Sequence, residues 1–206
     1  MRLAPLHKFV DRAAIGFASA AVADVGGEEI DETGPPGLSC KRYVAVDMPE
    51  EKMFRRFFHV NVCVRDMERS IRFYEDLGFK KAQDFILGGG KPNIGEALGV
   101  EVKKLRGVFM RLGDDPNAPV LDLVQFLDPP PQGEPYPTLN HIGICRIAFV
   151  IDDIDKAYAT LKEKGVEFVA PLQRYDGPKG SKIGIMCFRD PDGTILEAMS
   201  PEIESW

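Results

Sequence analysis

Two stretches of this sequence align with each other without a gap. His59 to Phe79 reads HVNVCVRDMERSIRFYEDLGF, and Arg146 to Val166, 87 positions on, reads RIAFVIDDIDKAYATLKEKGV. Asp66 falls on Asp153 and Gly78 on Gly165, while Val60, Val62 and Val64 fall on Ile147, Phe149 and Ile151. A chain that repeats itself in this way is built from two copies of one supersecondary unit, each with an apolar face that needs cover.

Each copy has the same local logic. Residues 59–64 and 146–151 are rich in β-forming side chains and read as strands. The aspartate that follows suits a helix N-cap, where its carboxylate accepts from the first free backbone N–H groups. Apolar residues then recur at helical spacing: Ile71, Tyr74 and Leu77 in one copy, Ile154, Tyr158 and Leu161 in the other. Gly78 and Gly165 stand where a helix ends in a left-handed residue. A strand pair closes each copy, Gly107 to Leu112 with Val120 to Leu127, and Ile183 to Phe188 with Thr194 to Met199. The second pair flanks Asp190-Pro191-Asp192-Gly193, a strong hairpin signal. Each unit is therefore βαβββ, and the fold class is α+β.

This divides the chain into an extension over 1–50, a first module over 51–128, a proline-rich linker over 129–141 and a second module over 142–206. The acidic, turn-rich EEIDETGPPG (28–37) reads as a tether, and Lys41 to Asp47 as an added short strand. An insertion over Leu87 to Lys104 contains Gly88-Gly89-Gly90 and a short helix at Asn93 to Leu98. It matches no phosphate-loop pattern and reads as a mobile loop over a cavity. The net charge of −6 argues against a nucleic-acid partner, and no run of apolar residues is long enough to span a bilayer. Four cysteines without a CxxC pair fit reduced thiols in the cytoplasm. The alternative, a targeting segment ending at Ala21-Val22-Ala23, has Asp11 and Arg12 interrupting its apolar run.

The phrases RFYEDLGF and DPDGTILE, with IAFVIDDIDKAYATLKEKGVEF, resemble the glyoxalase/bleomycin-resistance/extradiol-dioxygenase superfamily, the vicinal oxygen chelate proteins, over about residues 57 to 201. The resemblance implies curled mixed sheets around a shared cavity, a small-molecule substrate and often a homodimer. It also implies four cavity positions that supply metal ligands in metal-using members: the start of the first strand and the middle of the last strand of each module. Here those positions hold His59, Asp122, Arg146 and Glu197. The repeat pairs them independently, His59 with Arg146 and Asp122 with Glu197.

Two features of this quartet depart from the usual His, Glu and Gln. Asp122 is one methylene short, and Arg146 cannot ligate a metal because its guanidinium stays protonated. Three readings remain open. His59, Asp122 and Glu197 hold Fe, Mn, Ni or Zn, with Arg146 orienting an anionic oxygen. Alternatively Arg146 supplies the positive charge without a metal, and His59 or Glu197 is the base. In the third, the cluster is structural and the cavity only binds. Strand alternation adds Asn61 and Cys63, on the His59 face, and Val124 and Phe126, on the Asp122 face, as pocket residues. The expected activity is that of a glyoxalase-like lyase or isomerase, abstracting a proton next to a carbonyl. Sequestration of an unchanged compound and ring-cleaving oxygenation are the alternatives. His141, near the linker, becomes a ligand only if the repeat is shifted, which breaks the match at Asp153 and Gly165.

Overall fold

The computed structural model describes residues 54–88, 94–177 and 181–201. The extension, with the strand expected at Lys41 to Asp47, and Gly89, Gly90 and Asn93 of the insertion lie outside them. Along the first module run β1 (His59–Cys63), α1 (Met67–Asp76), β2 (Phe79–Leu87), α2 (Ile94–Leu98), β3 (Lys104–Leu112) and β4 (Val120–Asp128). The second holds β5 (Ile147–Val150), α3 (Ile154–Glu163), β6 (Gln173–Asp176), β7 (Lys182–Arg189) and β8 (Ile195–Pro201).

The two sheets have the same topology. Their strand orders are β1-β4-β3-β2 and β5-β8-β7-β6, with the first pair of each parallel and the others antiparallel. The local signals act as the sequence implies. Asp66 accepts from Arg69 N at 3.0 Å and Asp153 from Lys156 N at 2.9 Å, satisfying orphan donors at the starts of α1 and α3. Gly78 and Gly165 adopt φ of +96° and +76° just past the two helices, where a side chain would be strained. Arg146 lies one residue before β5, which is shorter than expected.

The strand faces sort as alternation requires. Val62 and Val64 are buried beneath α1, whereas Asn61 and Cys63 are exposed on the opposite face. A single apolar core joins the modules. It includes Ile71, Tyr74, Val108 and Leu123 from the first, and Ile154, Leu161, Met186 and Leu196 from the second. The Phe79 and Phe149 rings meet edge to face at 5.5 Å across the seam.

The seam also carries buried polar contacts. Tyr74 donates its hydroxyl to Asp190 Oδ2 at 3.0 Å. Asp190 Oδ1 accepts from Asp192 N and Thr194 N, fixing the β7–β8 turn. Asp192 in turn faces Arg69 at 2.6 Å and Arg65 at 3.4 Å. Burial pushes the Asp190 carboxyl upward against its three hydrogen bonds. Among the described residues no helix is long and apolar enough to cross a membrane.

The described part of the insertion packs on the sheet. Val102 and Leu105 bury against Val124, with Ile94 and Phe126 alongside. This gives the insertion an anchorage of its own, which the expectation of a mobile loop did not contain.

Candidate functional site

The same register places an acid in the middle of each last strand. Asp122 on β4 lies opposite Asn61 on β1, and Glu197 on β8 lies opposite Ala148 on β5. The two acids are therefore equivalent in position, as the repeat implies, but their neighbours differ. Asn61 donates to Asp122 Oδ2 at 2.7 Å. Alanine cannot do this for Glu197, which instead pairs with Arg146 at the entrance of β5, Nε to Oε2 at 2.9 Å.

The first half-site is enclosed by aromatic rings. His59 lies 4.9 Å from Phe58 and 6.2 Å from Phe109, and Phe85 packs edge-on to Phe109 at 5.2 Å. Asp122 is only 6% exposed. Its Oδ1 and the Nδ1 of His59 are buried without hydrogen-bond partners. Burial raises the Asp122 carboxyl above the usual range, opposed by the Asn61 hydrogen bond and by the nearby His59.

The second half-site is charged and more open. Glu197 is 7% exposed at its side chain and Arg146 is 42% exposed. Cys187, opposite Glu197 on β7, donates its thiol to the same Oε2 at 3.7 Å. Burial first, and then Glu197, raises the Cys187 thiol. Arg146 is held more firmly protonated by Glu197. Among the described residues, neither Nη of Arg146 has a partner, so its terminal edge stays available.

A cleft of about 410 Å³ opens between β1 and the start of β5. Asn61, Cys63 and Arg146 line it, whereas His59, Asp122, Glu197 and Phe126 do not. Burial raises the Cys63 thiol, with Asp192 adding and Arg65 opposing. His141 stacks on Tyr136 at 5.0 Å with nearly parallel rings.

One wall was not foreseen from the sequence. Residues 131–136 of the linker, Pro131 to Tyr136, line the cleft. Arg65 fastens that wall, donating to Gly133 O at 2.7 Å and pairing with Glu134 at 2.7 Å. Arg189 holds its far end through Pro137 O at 2.8 Å. A proline-rich linker reads only as a connection, and the nearest available signal was the charge of Glu134 within it.

Comparison with protein families matches residues 56–198 to the Glyoxalase/Bleomycin resistance protein/Dioxygenase superfamily. The chain belongs to this superfamily. No curated protein matches it. Among solved structures, a glyoxalase family protein from Bacillus cereus is 20% identical, with a TM-score of 0.63, covering 75% of this chain and 98% of its own. A glyoxalase family protein from Enterococcus faecalis is 24% identical, with a TM-score of 0.50, covering 72% and 99%. These likenesses show the superfamily's fold and leave the reaction to the site.

Divalent metals serve many superfamily members, and the orphaned atoms of His59 and Asp122 are the kind of unsatisfied pair a bound group would relieve. The full set does not fit one ion. Among the described residues no three His, Cys, Asp or Glu side chains converge as a ligand group, and Glu197 is turned to Arg146. His59, Asp122 and Glu197 are thus divided between two half-sites of this superfamily member.

Proposed function

We propose that this protein is a glyoxalase-like lyase or isomerase acting on a small oxygen-rich substrate in the cleft between β1 and β5. The observation that supports this reading is the Arg146–Glu197 pair, with the terminal guanidinium edge unpartnered among the described residues. A guanidinium bonded through Nε still offers two parallel N–H donors, a geometry suited to an oxyanion.

In the proposed step a substrate C–H bond next to a carbonyl breaks. The proton passes to the Glu197 carboxylate, which must turn past Arg146 to reach the cleft, and the electron pair moves onto the carbonyl oxygen. Arg146 donates to the enolate oxygen so formed. Collapse of the enolate returns the proton to carbon or expels a leaving group from the adjacent carbon. His59 is the alternative base, placed beside Asp122 in the other half-site.

A second reading has one specific observation in its favour. Glu197 sits behind Arg146 and does not itself line the cleft. A protein that only sequesters a small anion needs the clamp and no base.

The test is solvent deuterium exchange into 2-oxo acids, followed by proton NMR. The expected result is exchange at the carbon next to the carbonyl, reduced on the order of a hundredfold or more in Arg146→Met and Glu197→Gln. Binding of the unchanged oxo acid with no exchange would favour sequestration. Near-stoichiometric metal lost in both His59→Ala and Glu197→Ala would displace Arg146 as the stabilising group.

A further inference from the structure

Two arginines face the cleft, and they are not equivalent. Among the described residues Arg146 has one carboxylate partner, Glu197, and a free terminal edge. Arg65 is occupied: its Nη1 faces Asp192, its Nη2 donates to Gly133 O and pairs with Glu134, and its backbone N–H also goes to Asp192. The Arg65 side of the cleft therefore presents two carboxylates, Asp192 and Glu134, balanced by Arg65 and by Arg69 on Asp192, and carries no surplus positive charge. Between the two ends the walls are mainly apolar, from Val60, Ile147, Ile195, Pro131 and Pro135, with Asn61 and Thr194 among them.

From this asymmetry we infer that the cleft selects an organic monocarboxylate with an apolar body, and rejects substrates carrying a second anionic group. The inference rests on the reading of Arg146 as the anion clamp and adds the substrate class. A 2-oxo acid that sets one carboxylate oxygen and the adjacent carbonyl oxygen on the Nη1–Nη2 edge directs the rest of its body along the walls toward Arg65. A second anion there meets Asp192 and Glu134 in a charge-balanced network, with no surplus positive charge to offset its lost hydration. The linker sets this discrimination because Arg65 holds Glu134 against the cleft. Arg65 is accordingly a positioning residue, acting on specificity through the wall it fastens.

The experiment is equilibrium binding by calorimetry with four probes: pyruvate, 4-methyl-2-oxopentanoate, phenylpyruvate and 2-oxoglutarate. The two apolar monocarboxylates should bind at least about tenfold more tightly than either pyruvate or 2-oxoglutarate. Arg146→Met should abolish that binding. Glu134→Gln should narrow the gap between 2-oxoglutarate and the apolar acids by tightening 2-oxoglutarate, a readout that a purely structural role would not give. Binding of 2-oxoglutarate as tight as that of phenylpyruvate overturns the inference, as does unaltered affinity in Arg146→Met. Deuterium exchange recorded on the same samples separates the two claims. Selective binding without exchange defeats the catalytic reading alone, and exchange that ignores the second carboxylate defeats the selectivity alone.

Discussion

At the scale of single residues, one difference in the repeat explains why the half-sites diverge. Asn61 and Ala148 occupy the same position beside the central acid of their modules. The amide ties Asp122 down, and the alanine leaves Glu197 to the neighbouring guanidinium. Both acids were recognisable in the sequence by their equivalence in an apolar strand. Their separation was not, because it depends on which way each side chain turns to find a donor. Asp122 also makes a prediction about pH. Its carboxyl titrates higher in the folded protein than in the unfolded chain. The folded state therefore holds more protons above the ordinary carboxylate value of about 3.9, and stability falls as the pH rises from there through the raised folded value. Replacing it with asparagine removes that contribution. The urea midpoint of Asp122→Asn should decline less steeply than that of the parent over this window, and parallel slopes would disprove the assignment.

Among the elements, what could be read from the sequence was what local chemistry dictates. Asp66, Asp153, Gly78, Gly165 and the Asp-Gly turn each act within a few residues of themselves, and each performs the expected role. Asp66→Ala and Asp153→Ala should each cost about 1 kcal/mol in chemical denaturation, the usual value of a lost N-cap. Contacts between distant segments were beyond such reading. Gly107 in β3 lies under the Phe85 ring, where an added Cβ would stand 2.4 Å from ring carbons, and no feature of the strand announces this. The linker wall is a similar case. Its fastening depends on Arg65, whose other partner, Asp192, is 127 residues away. In the sequence Asp192 is a turn residue, and only the packed modules make it a counterion.

At the scale of the molecule, the repeat implies two like halves, and among the described residues the two modules share one apolar core, with a smaller cluster under the insertion. The seam between them is nonetheless unequal. Tyr74 reaches Asp190 across it, both side chains being buried. Tyr74→Phe should destabilise the protein by about 1–3 kcal/mol, because the carboxylate loses a hydrogen bond that no water can readily replace. A loss near zero would show that Asp190 is satisfied by its backbone donors alone. In the second module the position equivalent to Tyr74 is Leu161, which has no hydroxyl to give. Two copies of that half brought together in the same way would therefore each leave Asp190 short of a partner. At this contact the second half is complementary to the first and not to a copy of itself, so the two modules are not interchangeable.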